Sequence, residues 1–419
     1  MTKQKKKILV IADSPLAPSG VGTQTKYMIE AMLKTGEYKF LCLAGAMAHQ
    51  NYSPQAVDPW GKDWVIKPVD GYGDQNTIRA ILRDYKPDVL WFMTDPRFYV
   101  WLWSMENEIR ENVPMVYYHV WDNYPYPRYN KQFYDSNDTI CTISKVTDDI
   151  VRNVSPAVDC VRIPHTVDTD IFRKSTSESI SNTRNMIIGQ DDKLIFFWNN
   201  RNARRKQSGT LIFWFKEFLD KVGHDKACLV MHTEPKDPHG QDLEAIMKEL
   251  GLDNRQIILS TTKVSPHELA KVYSAADCTI NISDAEGFGL GTLESLSCET
   301  PIIVNMTGGL QEQVTDGQAW FGFGIEPSSK SIIGSQDVPY IYEDRMNKEE
   351  FIEVMVKFYE MSKQDRESMG ASGREHVLKN YGFKQYSELW KSTFDTIIEK
   401  FGSWENRKNY KNWEIREIL

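Results

Sequence analysis

Short, unbroken apolar runs recur along the chain, separated by stretches where apolar residues return every three or four positions. Lys7 to Ala12, Tyr38 to Ala44, Asp88 to Met93, Pro114 to His119, Asp138 to Ile143 and Asp159 to Ile163 read as buried strands. Gly22 to Lys34, Gln75 to Tyr85, Tyr99 to Asn112 and Lys145 to Asn153 have helical spacing between them. A second series repeats the pattern. Its strands are Lys193 to Asn199, Ala227 to His232, Ile257 to Ser260, Asp277 to Ile282 and Pro301 to Asn305. Its helices lie near Leu211 to Lys221, Gln241 to Leu250, Pro266 to Ser274 and Leu290 to Cys298. Runs apolar on both faces need cover on both sides, so each series predicts an open, mostly parallel sheet between layers of helices. The polar, Ser-rich stretch Ser175 to Asn185 is the expected linker. Thr315 to Asp344 reads as an irregular surface insertion, Lys348 to Tyr381 as helical, and Phe383 to Phe401 as an amphipathic helix.

At 419 residues the chain can bury two separate cores. Expected boundaries are a first domain over 1–180, a second over 186–382, and a C-terminal helix and tail over 383–419. Hydrophobic residues make up 41% and charged residues 26%, the balance of a soluble globular protein. The net charge of −8 argues against gross attraction to nucleic acid or anionic lipid. Residues 1–184 hold 22 Lys+Arg and 22 Asp+Glu, so the deficit lies downstream and the first half is neutral. Six cysteines are scattered without a C-x-x-C pair, and most read as buried thiols of a reducing compartment. The apolar run Ile8 to Ala12 is too short for a signal peptide, and no stretch is long enough for a transmembrane helix. A cytoplasmic location is expected.

Candidate chemistry concentrates between Ser283 and Val314. Glu286, the turn G-F-G-L-G and Glu294 join a strand to a helix, which places them at the carboxyl end of a parallel sheet. Gly287, Gly289 and Gly291 let backbone N–H groups approach a ligand, and the start of the helix favours phosphate. Either glutamate can accept hydrogen bonds from sugar hydroxyls; either can also be an ordinary residue of a helix start. Upstream, Asn200 to Lys206 carries four cations, Arg201, Arg204, Arg205 and Lys206, readable as an anion grip, a nucleic-acid patch or a solvated loop. Gly20 and Gly22 mark a first strand–loop–helix turn, with neither dinucleotide-fold nor P-loop spacing. His119 ends a strand. Trp121, Tyr124 and Arg128 belong to an aromatic, basic and Pro-rich loop that can stack on a sugar or an unpaired base. Asp168-Thr-Asp170 reads as a turn and cap, and no cluster has metal-ligand spacing.

Glu286, G-F-G-L, Glu294, Cys298, Pro301 and Gly308-Gly309 with Glu312 closely resemble the donor-site signature of family 4 glycosyltransferases. The resemblance implies the GT-B fold: two doubly wound, Rossmann-like domains facing across a cleft, with the C-terminal helix crossing back to the N-terminal domain. It implies a metal-independent, retaining transfer from a nucleotide-diphosphate sugar, UDP- or GDP-linked, with no other cofactor. By resemblance Glu286 holds the donor sugar and Glu294 the ribose. Gly287, Phe288, Gly289 and Leu290 contribute the intervening amides, Arg201 and Lys206 grip the diphosphate, and Val264 faces the base. The loop with Gly20 and Gly22 reaches over the diphosphate, and His119 sits beside the donor sugar. The family pattern has Asp close behind this His. Here the spacing is His119-Val-Trp-Asp122, which leaves Asp122 with Trp121, Tyr124 and Arg128 as candidate acceptor contacts.

The acceptor stays open: a saccharide, lipid-linked or other glycan hydroxyl, or a hydroxymethylated base in DNA. The neutral first half weighs against DNA, while the aromatic–basic loop and Arg204-Arg205 weigh for it. A sugar-nucleotide epimerase and an inactive sugar-nucleotide binder remain as alternatives of other classes. Oligomeric state and the tail from Trp404 to Leu419 are not legible.

Overall fold

The computed structural model describes residues 4–189, 192–252 and 254–412, and the last part of the tail, 413–419, lies outside them. The chain forms two compact units. One runs to Thr166 and regains Ser335–Pro339 and the chain from Phe383 onward; the other holds Val167–Gly334 and Tyr340–Gly382.

The first unit is built on eight strands: β1 (Lys6–Asp13), β2 (Tyr38–Gly45), β3 (Gln55–Val57), β4 (Gly61–Pro68), β5 (Val89–Met93), β6 (Met115–His119), β7 (Thr139–Thr142) and β8 (Asp159–Arg162). They lie in the order β3-β4-β2-β1-β5-β6-β7-β8, parallel except where β3 meets β4. β5 and β6 are buried at every residue, which is what unbroken apolar runs require. The C-terminal helix Phe383–Phe401 belongs to this unit. Its Trp390 meets Trp91 edge-on with ring centroids 5.8 Å apart and Tyr118 at 5.0 Å, and Tyr38 donates to Asp395 at 2.6 Å.

The second unit holds β9 (Leu194–Asn199), β10 (Ala227–His232), β11 (Ile257–Ser260), β12 (Cys278–Asn281), β13 (Ile302–Asn305) and β14 (Gly322–Ile325), all parallel, in the order β11-β10-β9-β12-β13-β14. Its core packs Phe196, Phe215, Phe218 and Phe358 between the sheet and its helices. The doubly wound α/β class expected from the sequence is the one observed.

Three expectations need correction. Ser175 to Asn185 is mostly helix, Ser177–Ile188, because Thr176 caps it by accepting from Ser179 N at 3.3 Å; the Ser/Thr composition marked a helix start rather than a linker. Thr315 to Asp344 contains β14 and a hairpin of β15 (Ser329–Ile333) and β16 (Ile341–Arg345). β14 escaped notice because it is half glycine, with Gly322 pressed against the Ile302 backbone. Tyr99 to Asn112 is broken into Pro96–Tyr99, Val100–Trp103 and Glu106–Arg110, with Ser104 turning back to donate to the Trp101 carbonyl at 2.7 Å. Lys348 to Tyr381 is helical as expected, divided into Lys348–Glu360 and Lys363–Asn380, the second capped by Ser362.

Candidate active site

In the second unit, polar residues end each central strand. Asn199, His232 and Ser260 stand in register across β9, β10 and β11, and Asn281 ends β12. The loops that follow β9 and β12 are stitched together by backbone bonds. Asp284 N donates to the Arg205 carbonyl at 2.8 Å, and the Arg205 guanidinium donates back to the Ala285 carbonyl. This cross-link sets Lys206 against Glu286.

The two form an ion pair, with side chains only 9% and 12% exposed. Asn281 adds a hydrogen bond to the Glu286 carboxylate at 3.3 Å. Burial alone would push Glu286 up, but Lys206 and Arg205 outweigh it and hold the carboxyl below its usual range. The Glu286 carboxylate is thereby kept ionised beside the Lys206 side chain in a nearly dry place, at the carboxyl ends of parallel strands.

The turn beyond Glu286 is rigidly held. Gly289 adopts φ +88°, a left-handed conformation that a side chain would strain, and begins the helix Leu290–Ser297. Gln313 donates to the Phe288 carbonyl at 2.6 Å and to the Gly289 carbonyl at 3.2 Å, while Gly309 N donates to the Glu286 carbonyl at 3.2 Å. Carbonyls of the turn are thus drawn into the protein. Phe288 is buried, its ring 5.7 Å from that of Tyr381. One turn into the helix, Glu294 accepts from Tyr273 at 2.9 Å, and burial lifts its carboxyl to about 7.

Around the pair lies a second charged layer. Arg204 is tied to Glu343 of β16, and Arg345 bridges Glu343 and Asp284 at 2.6 and 2.8 Å. Burial raises Asp284 to about 6 against the pull of Gln207 and Arg345. Arg204 and Arg205 both have partners within the chain, though the Arg204 side chain stays 59% exposed.

Not every expected group joins this cluster. Arg201 is 61% exposed and turned to Asp237 at 2.7 Å and His239 at 2.8 Å. Val264 is half-buried in the loop before Pro266–Ala275, next to a capping box of Ser265 and Glu268.

In the first unit, Ser19 caps the helix Gly20–Leu33 by accepting from Gly22 N at 3.0 Å, so Gly20 and Gly22 begin the helix instead of forming a loop before it. A Cβ on Gly22 would lie 2.6 Å from the Ser14 carbonyl oxygen and 2.8 Å from that of Ala17. His119 is 0% exposed, 2.6 Å from the Tyr134 hydroxyl through Nε2, and burial drops it to about 3, leaving it neutral. It sits inside the packing between Tyr117 and Trp121, and its Nδ1 is buried without a hydrogen-bond partner among the described residues. Trp121 is buried and donates to the Asn123 carbonyl at 2.9 Å. Tyr124 and Tyr126 both donate to Asp149, at 2.6 and 3.1 Å, so this loop is anchored rather than free. Asp122 is half-buried and Arg128 exposed. Asp168 accepts from the backbone of Asp170 and Ile171, a turn as expected.

The model of one protein family, glycosyl transferases group 1, matches residues 181–376. The resemblance read from the signature holds for that stretch. The chain is 28% identical to D-inositol 3-phosphate glycosyltransferase of Corynebacterium jeikeium over 195 residues, 45% of this chain and 46% of that one. It is 23% identical to trehalose synthase of Pyrococcus horikoshii over 185 residues, 44% and 39% of the two chains. The chain thus spans less than half the length of these curated relatives. Among solved structures, sucrose-phosphate synthase from Thermosynechococcus elongatus superposes with a TM-score of 0.74 at 16% identity, covering 94% of this chain and all of that one. Anabaena HepE in complex with UDP and glucose superposes at 0.69 and 14%, covering 93% and 100%. At such identities the likeness shows the fold, and the fold is GT-B.

Sequence reasoning missed Asn199, Tyr273, Asn281 and Gln313. Asn199 and Asn281 had a usable signal, since each interrupts an apolar run at a strand's carboxyl end. Tyr273 and Gln313 had none, because ordinary helix residues reveal their partners only in three dimensions.

Among the described residues, no three His, Cys, Asp or Glu side chains come together to hold a metal, and no helix is long and apolar enough to cross a membrane.

Proposed function

We propose that the chain is a retaining glycosyltransferase that moves a sugar from a UDP- or GDP-linked donor to an acceptor hydroxyl, without a metal, in the cytoplasm. The observation that carries this reading is the buried Lys206–Glu286 pair at the mouth of a glycine turn, with Glu294 on the helix that follows. Transfer requires the departing diphosphate to be stabilised as its charge grows, and fixed charges in a water-poor site do this at low reorganisation cost. Lys206 supplies a positive charge, and the N–H groups from Gly287 to Leu290 supply dipoles. Glu286 takes donor-sugar hydroxyls and Glu294 the ribose hydroxyls. Arg201 reaches the diphosphate only by leaving Asp237, an exchange that an anionic ligand favours.

The acceptor oxygen bonds to the anomeric carbon as the bond to the diphosphate breaks, on the same face, and the acceptor proton passes to the departing diphosphate oxygen. No second catalytic carboxylate is needed, in contrast to a glycoside hydrolase. The names of the relatives support a saccharide or polyol phosphate as acceptor more than DNA.

A nucleotide-release screen over UDP-, GDP- and ADP-sugars tests the proposal, with saccharide, lipid and DNA acceptors and with chelator present. Acceptor-dependent release that survives chelation is expected. Conversion of the nucleotide sugar without acceptor indicates an epimerase, and binding without release an inactive binder. Release stimulated by DNA and lost steeply with salt indicates the DNA enzyme.

A further inference from the structure

Glu294 does not stand alone on its helix. Tyr273, from the helix Pro266–Ala275, is 0% exposed and donates its phenol proton to Glu294 Oε2 at 2.9 Å. The same phenol oxygen accepts from Asn199 Nδ2 at 2.9 Å, from the end of β9. The ring itself is immobilised, its centroid 5.1 Å from that of Phe197 and 6.2 Å from that of Phe172. Above it, a Cβ on Gly291 would stand 3.2 Å from both the Tyr273 hydroxyl and the Asn199 carbonyl, so the start of the glutamate's helix rests on this pair.

The arrangement has a direction. Asn199 can give a proton and Tyr273 passes one on, so the relay ends on the carboxylate as an acceptor. It occupies one position on Oε2 and leaves the remaining acceptor positions of the carboxylate for hydroxyl groups. A carboxylate that must accept from two neighbouring hydroxyls needs its plane fixed, and an unsupported glutamate has three rotatable bonds to lose on binding.

We propose that Tyr273, held by Asn199, is the positioning residue that fixes the Glu294 carboxylate for the paired hydroxyls of a nucleotide ribose. The inference rests on the reading of Glu294 as the ribose carboxylate and adds the device that makes it selective. The relay also keeps the acid ionisable. Burial lifts Glu294 and the Tyr273 hydrogen bond opposes that lift, while Cys298, one turn along the same helix, is the other titratable neighbour and is itself pushed up. Losing the phenol removes the opposing pull, so ribose recognition then demands a higher pH.

The test uses the full chain and two probes, UDP and its 2′,3′-dideoxy counterpart, with the GDP pair in their place if GDP binds more tightly. Wild-type protein prefers the ribonucleotide, and Glu294→Gln removes that preference. Tyr273→Phe cuts it by roughly three- to tenfold, the size of one net hydrogen bond. It also moves the pH midpoint of ribonucleotide affinity upward, while dideoxynucleotide affinity stays near wild type and the thermal midpoint falls by only a few degrees. Should Tyr273→Phe fold poorly, Asn199→Ala carries the same test with a smaller loss in the same direction. Full preference and an unmoved pH midpoint in Tyr273→Phe, beside a Glu294→Gln that has lost its preference, overturn this inference and leave the site assignment standing. A wild type without preference, or a Glu294→Gln that keeps it, overturns the site assignment and this inference together.

Discussion

Replacing Lys206 with Met leaves Glu286 as a lone carboxylate in a nearly closed site, with Asn281 at 3.3 Å as its remaining side-chain hydrogen-bond donor. Breaking one half of a buried pair costs about 3–5 kcal/mol. Exposures of 9% and 12% admit some screening, so about 3 kcal/mol is the appropriate figure here. For a unit of roughly 200 residues that lowers the thermal midpoint by about 6–12 °C. Adding Glu286→Gln removes the stranded charge, so the double variant regains about 2 kcal/mol over Lys206→Met. The pH dependence follows in sign. Without Lys206, only Arg205 and Asn281 are left to oppose burial, and the Glu286 carboxyl rises in the folded protein. The single variant is therefore least impaired at low pH, where the carboxyl is protonated, and loses stability as pH climbs through that raised value. Calorimetric unfolding of the four proteins at several pH values reads all of this. Additive penalties, within about 0.5 kcal/mol, would refute the claim that the two charges hold each other in place.

Three further outcomes are expected. Glu286→Ala abolishes sugar transfer while leaving nucleotide affinity largely intact, measured by nucleotide release beside calorimetric titration; unchanged release removes Glu286 from the sugar site. Gly22→Ala destabilises the first unit by about 1–3 kcal/mol, because its Cβ meets two backbone carbonyls that cannot move cheaply, and the denaturation midpoint reports it. Glu294, raised to about 7 by burial, binds its proton more tightly in the folded chain. Wild type therefore loses stability as pH rises from about 4.5 toward 7, a slope that Glu294→Gln lacks, as unfolding curves across that range will record.

Much of this architecture is written in local pattern. The continuous apolar runs of β5, β6 and β9 fit a sheet covered on both faces, and Asp74 and Ser144 cap helices that start within a residue of where periodicity places them. The turn between Glu286 and Glu294 was legible because glycine spacing and acidic residues sit within a few positions of each other. What failed was chemistry with two local readings. Ser and Thr suit a linker or a helix cap, and Thr176 is the second. Glycine weakens a strand by propensity, yet Gly322 is in β14 because the neighbouring backbone leaves room for nothing larger. His119 ends a strand, and the burial that keeps it neutral comes from ring packing that the local sequence does not show. Arg201 and Lys206 have similar sequence credentials, and only the fold separates the buried one from the exposed one.

The most direct measurement is a crystal structure of the chain with an intact UDP- or GDP-sugar bound. The account predicts the diphosphate against Lys206 and the amides from Gly287 to Leu290, the sugar hydroxyls on Glu286, and the ribose on Glu294 beside Tyr273. A nucleotide sugar seated away from this turn, with the Lys206–Glu286 pair untouched, would contradict it.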